Sequence, residues 1–330
     1  MFRSLTLYPK GRLKLFALAM SLFAFSSLLW TVGHSKSLVV HVYALVTLFH
    51  VLSLLMTLGL LLLSRTEAKE DFSYRYERAD VLGVFSVTML VQLGALFVVK
   101  EGLEQILESY EVNVDSRMVV VPTLAYLVQL FVIYCTPSRS MSHVINASSS
   151  NWIQEQMADL SRSLCSVMPG LSTLLLPRFH PIALLASCGW LICISDYFLL
   201  SNDHFKQSDA LLCLLLASML IGTMYPLALY TGRILLQACP SHVLPELEKC
   251  LREVSTMDGV LEVADDHFWQ LSFEKMAGTV VVRVRRDADE QLILARTVDK
   301  LLPYVAELTV QIDKATTTTT TATNWEPHLG

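Results

Sequence analysis

Few side chains in this 330-residue chain stand where they could do chemistry, and most of those lie inside long apolar runs. Asp159 and Arg162 fall one helical turn apart in such a stretch. A guanidinium there would pair the carboxylate and repel a divalent cation. Asp196 is a lone acid in the run Ile182 to Leu200, and no partner for it can be read from the sequence. An ionisable residue at membrane depth is a functional-site candidate by default. His34 and His41 border apolar runs and read as interfacial histidines. The seven cysteines (135, 165, 188, 193, 213, 239 and 250) form no C-x-x-C pair. They read as small buried hydrophobes rather than as a disulfide framework or a cysteine zinc site. The chain has no nucleophile elbow, P-loop, H-E-x-x-H or Rossmann glycine pattern, so no enzyme is expected.

The elements that must position these residues are membrane helices. Hydrophobic residues make up 53% of the chain and charged residues only 17%, against roughly 25% charged in globular proteins. That composition excludes a soluble cytosolic enzyme. The net charge of −5, with no basic block, excludes a nucleic-acid partner. Apolar runs predict spans at about 13–32, 38–63, 81–99, 118–135 and 210–231, with a broken or kinked fifth crossing somewhere in 152–200. Pro169-Gly170, Pro177 and Pro181 supply the interruptions. The first run follows Arg3, Lys10, Arg12 and Lys14 like a signal peptide, but it lacks a small-residue cleavage site and reads as a helix.

Lysine and arginine in the short loops set the orientation. Four lie before the first span, and Arg65, Lys69, Arg75 and Arg78 lie after the second. The loop after Val99 instead carries Glu101, Glu104, Glu108, Glu111 and Asp115. Both termini are therefore expected in the cytoplasm, which requires an even number of spans, and six fits. The transmembrane domain is placed at residues 1–239. From 240 to 314 the order αββαβ predicts a small ferredoxin-like α+β domain, with Val280, Val282 and Val284 alternating along one strand. Residues 315–330 form a threonine-rich tail expected to be disordered. The serine-rich stretch 136–150 reads as a flexible cytoplasmic linker open to phosphorylation, which would leave the sequon Asn146-Ala147-Ser148 unused.

The stretch Phe72-Ser73-Tyr74-Arg75-Tyr76-Glu77-Arg78-Ala79-Asp80-Val81-Leu82-Gly83 resembles the entry to the third helix of cation diffusion facilitators, which exchange zinc for protons. Pro226 through Gln237, Pro240-Ser241-His242-Val243 and His267-Phe268-Trp269 are similar to the same family's last-helix exit and its H-x-W strand. The resemblance runs from about Leu15 to Asp313. It implies H-x-x-x-D pairs on the second and fifth helices, which together give zinc a tetrahedral site. Protons compete for the same groups, and that competition couples the exchange.

This chain departs from the pattern. The resemblance places Val46 and His50 at the second-helix His and Asp positions, and Glu155 and Asp159 at the fifth-helix positions. The candidates are then at most His50, Glu155 and Asp159, a vestigial set beside Arg162. No metal site is read as intact, and no catalytic or cofactor-binding residue is expected. No histidine-rich loop joins the fourth and fifth helices: residues 136–150 hold only His143. In the soluble domain only His267 and Asp313 match ligand positions, Arg283 stands where His is common, and His267 reads as structural, packed by Trp269.

The resemblance therefore implies a non-transporting, modulating subunit of a heterodimeric zinc/proton antiporter. It implies pairing with an intact member, a zinc transporter 5-like protein, in Golgi and trans-Golgi network membranes. Zinc would be the ion moved by the complex, with no cofactor held by this chain. The alternative is an autonomous antiporter using His50, Glu155 and Asp159.

Overall fold

The computed structural model describes residues 9–63, 74, 76–108, 112–136, 139–148, 181–201 and 207–314. The chain divides into two compact units, Met1–Leu235 and Leu236–Gly330, a boundary four residues before the one drawn from the sequence.

In the first unit, six helices among the described residues are long and apolar enough to cross a membrane. They are α1 (Pro9–Ser35), α2 (Leu38–Leu63), α3 (Ala79–Leu107), α4 (Arg117–Cys135), α6 (Pro181–Ser201) and α7 (Ser208–Leu235). In hydrocarbon every backbone polar group must be satisfied within the protein, and a helix does so along its own length. The hydroxyls in these helices follow the same rule by donating to carbonyls one turn back: Thr31 to Ser27, Thr47 to Tyr43, Thr123 to Val119 and Thr231 to Leu227. The expected break between 152 and 200 does not occur in the described part, where α6 is one uninterrupted helix. Residues 149–180, which hold Pro169-Gly170 and Pro177, lie outside the described residues.

Helix α2 is the centre of the bundle and touches all five other spans. Its residues from Leu38 through Val40 and from Val42 through Ala44 are all buried. Glycine lets α6 approach it: a Cβ on Gly189 would sit 2.8 Å from the Tyr43 ring.

The serine-rich stretch read as a flexible linker instead forms a short helix, α5 (Arg139–Ser148). Met141, Val144 and Ile145 are buried at the i, i+3, i+4 spacing of one helix face. That stripe docks α5 on α7 and α3, and Ser140 donates to Asp80 at the start of α3.

The second unit has the expected αββαβ order: α8 (Leu244–Ser255), β1 (Val260–Gln270), β2 (Met276–Val284), α9 (Glu290–Leu301) and β3 (Glu307–Lys314). The sheet order is β1-β2-β3, with β1 antiparallel and β3 parallel to β2. Val280, Val282 and Val284 face the core formed with Leu247, Val254, Ile293 and Leu301. Glycine is required twice. Gly259 turns at φ +91°, and a Cβ on Gly278 would collide with the Phe268 ring. Burial pushes the thiols of Cys239 and Cys250 up.

Candidate functional site

Three polar layers are stacked along α2, and the one richest in expected ligands is the plainest. His50 is buried, with 4% of its surface exposed. It sits beside a cavity of 80 Å³ that is also lined by Ser53, Thr57, Val132, Thr136 and Ser142. Phe49 meets the imidazole edge to face at 5.7 Å. Val46, one turn away, is wholly buried and has no atom that can ligate a metal. The other two expected ligands, Glu155 and Asp159, lie outside the described residues, as does Arg162. Among the described residues no group of three or more His, Cys, Asp or Glu could hold a metal ion. The described lining offers one imidazole and hydroxyls, a set suited to water more than to a divalent cation.

Roughly 5–10 Å along α2 from His50, at 1.5 Å per residue, lies a neutral belt. Tyr43 donates its hydroxyl to Gln129 Oε1 at 3.3 Å, and Gln129 Nε2 donates to Thr47 Oγ1 at 2.8 Å. All three residues are buried, and the belt ties α2 to α4. The Tyr43 ring lies close against Gly189 of α6. Trp190 of α6 stacks on Tyr126 of α4, 7° from parallel, and donates to Thr123 at 3.0 Å. These bonds clamp α2, α4 and α6 together with no charge in the clamp.

The third layer is at the α1–α2 turn. Lys36 takes a left-handed conformation there (φ 57°) so that the chain can reverse. The N-terminus of α2 is buried, and its free N–H groups need acceptors. Asp209 of α7 supplies them: Leu38 N donates to Oδ2 at 2.9 Å, Val39 N to Oδ1 at 3.2 Å and Ser37 Oγ to Oδ1 at 2.7 Å. A carboxylate at a helix N-terminus also meets the favourable end of its dipole. Asp196 of α6 is fully buried beside this cap and accepts from Ser208 Oγ at 3.3 Å. Half-buried His41 lies 3.6 Å from Glu101 of α3, so it bridges two helices rather than merely facing the interface.

Sequence reasoning singled out Asp196 and missed Asp209. The last apolar run was taken to begin at Ala210, which left Asp209 as a loop residue, and nothing local marks an acid that caps a helix about 170 positions away. Gln129 was a visible signal, an amide in the middle of an apolar run.

The soluble unit does not bring its candidates together. His267 is exposed on β1, with Nδ1 3.3 Å from Asp265 O, and is not packed away as its neighbour Trp269 suggested. A register irregularity between Ala264 and His267 turns the strand at that point. Asp313 pairs with Arg283 at 3.7 Å, and Arg283 also pairs with Glu262. The three form a row across all three strands. His267 is in register with Thr279 and Thr309, four residues along β3 from Asp313, or about 13 Å. One metal ion cannot bridge that gap.

Comparison with known proteins gives a consistent set of relatives. The profile of the cation efflux transmembrane domain matches residues 13–236. The chain is 41% identical over 280 residues to zinc transporter 6-A of Xenopus laevis, covering 85% of this chain and 60% of that protein. It is 40% identical over 296 residues to zinc transporter 6 of Gallus gallus, covering 90% and 64%. With zinc transporter 6 of Homo sapiens it shares 41% over 288 residues, covering 87% and 62%. The chain thus spans about three fifths of the length of the curated relatives it matches.

Proposed function

Because the chain belongs to the cation efflux family, a family of transporters and not of enzymes, we propose that it serves zinc transport as a supporting subunit that carries no zinc itself. It pairs with an intact member, a zinc transporter 5-like protein, in Golgi and trans-Golgi network membranes with both termini in the cytoplasm. Zinc enters this reading from the relatives, which are named zinc transporters. The non-transporting role rests on one observation: wholly buried, apolar Val46 stands where the family resemblance calls for a histidine on α2. The clamp of Tyr43, Gln129 and Thr47 agrees with it, since it fills the middle of the bundle with neutral bonds that no ion needs.

The second reading is an autonomous zinc/proton antiporter using His50, Glu155 and Asp159. His50 favours it, because it is buried beside a cavity rather than exposed to lipid. Zinc uptake into vesicles, measured for this chain alone, for an intact partner alone and for both together, separates the two. The subunit reading expects uptake that rises only with both and is unchanged by His50→Ala combined with Asp159→Ala in this chain. Uptake by this chain alone, abolished by Asp159→Ala, would establish the antiporter instead.

A further inference from the structure

Beside the α1–α2 turn two acids face each other out of reach of water. Asp196 on α6 and Asp209 on α7 are both fully buried, and Asp196 accepts a hydrogen bond from Ser208, the residue next to Asp209. The donors around them are unevenly shared. Asp209 receives the Ser37 hydroxyl and the N–H groups of Leu38 and Val39, all of which need an acceptor. Both oxygens of Asp209 therefore have donors. Asp196 receives only the Ser208 hydroxyl, at Oδ1. Its Oδ2 is buried and has no donor.

The other titratable groups around the pair supply no positive charge. Cys193 comes from α6, Cys213 from α7 and Glu101 from α3. His41 of α2 approaches only as far as Glu101. Among the described residues no lysine, arginine or histidine makes an ion pair with either acid. Two bare carboxylates buried side by side without a cation would repel each other strongly. The arrangement lacks one hydrogen. A hydrogen on Asp196 Oδ2 would turn two opposed acceptors into an O–H···O⁻ bond and satisfy the buried atom that has no donor.

We propose that Asp196 and Asp209 form a proton-binding site, an acid and a carboxylate holding one proton between α6 and α7. The site is separate from the expected zinc ligands and stands whether or not this chain transports zinc. Binding takes one proton from solvent at this end of the bundle, which the loop charges assign to the lumen, and breaks no covalent bond other than its O–H. The bound proton joins α6 to α7, and through the Asp209 cap it joins both to α2. Releasing it leaves two buried negative charges at the same junction, so the junction loosens as the proton leaves.

The test uses the purified full chain in lipid or detergent. Infrared spectra are expected to show a protonated-carboxyl C=O band that shifts on deuteration and is missing in both Asp196→Asn and Asp196→Ala. The melting temperature of the unaltered chain is expected to fall as pH rises through loss of this proton. The Asp196→Asn melting temperature should stay flat there, because its amide keeps a permanent donor toward Asp209. Absence of the band, or parallel pH profiles for the unaltered chain and Asp196→Asn, would overturn the proposal. So would saturable stabilisation by calcium, magnesium or zinc that disappears in Asp196→Asn, since the pair would then hold a cation. If Asp196→Asn does not fold, Asp196→Ala still decides the infrared assignment.

Discussion

The two ends of α2 treat polar groups in opposite ways. At its N-terminus two buried acids meet hydroxyls and backbone N–H groups, and Asp209 alone takes three hydrogen bonds. Toward the other end His50 faces a cavity whose described lining is apolar groups and hydroxyls. Acid is present where the fold needs an acceptor for a helix end. The described lining of the cavity at His50 holds none, and Glu155 and Asp159 lie outside the described residues.

The largest expected effect lies at the acidic end. Asp209→Ala strands the N–H groups of Leu38 and Val39 and the Ser37 hydroxyl, and should cost about 3 kcal/mol or more. Thermal unfolding of the detergent-purified chain reads this, and a shift no larger than that of a lipid-facing substitution such as Leu93→Ala would break the comparison. Next comes the neutral belt. Gln129→Leu removes both of its side-chain bonds, to Tyr43 and Thr47, and should cost about 1–2 kcal/mol, in line with hydrogen bonds between membrane helices. Double-mutant cycles with Tyr43→Phe and Thr47→Val would show whether the belt acts as one unit.

The smallest effect is expected in the soluble unit. There Lys300 hydrogen-bonds to Glu253 and holds that carboxyl below its usual range, while Glu253 raises the Lys300 ammonium. A lowered carboxyl stabilises the fold above its unfolded value and loses that contribution as pH falls through the folded one. Glu253→Gln should therefore remove a small, salt-screened part of the acid-side stability and leave neutral-pH unfolding nearly unchanged. A large loss at neutral pH and high salt would mean that the exposed pair does structural work comparable to the buried belt.

Much of the architecture was legible because it follows from local rules. Runs of apolar residues gave four spans to within a few residues, while α3 runs eight residues past its expected end at 99, and the valines of β2 gave its buried face. The crossing near 152–200 was harder, because Pro181 can either break a helix or begin one, and here it begins α6. The stretch around Ser140 misled for a related reason. Its serines dominate the composition, while three apolar residues at helical spacing decide the structure. Among the candidate site residues, His50 and Val46 could be placed from the sequence. The poor fit of His267 with Asp313 became visible only once strand register was fixed.

By itself the sequence determined the membrane class, the number of spans and the αββαβ unit. These depend on periodicity and composition, which are properties of neighbouring residues. Only the tertiary structure decided that Asp209 caps α2, that Gln129 joins Tyr43 to Thr47, and that Asp196 meets a second acid. Each of these pairings joins residues some 13 to 172 positions apart. The donors and acceptors that give such groups their meaning lie on other helices, so no local pattern in the chain could announce them.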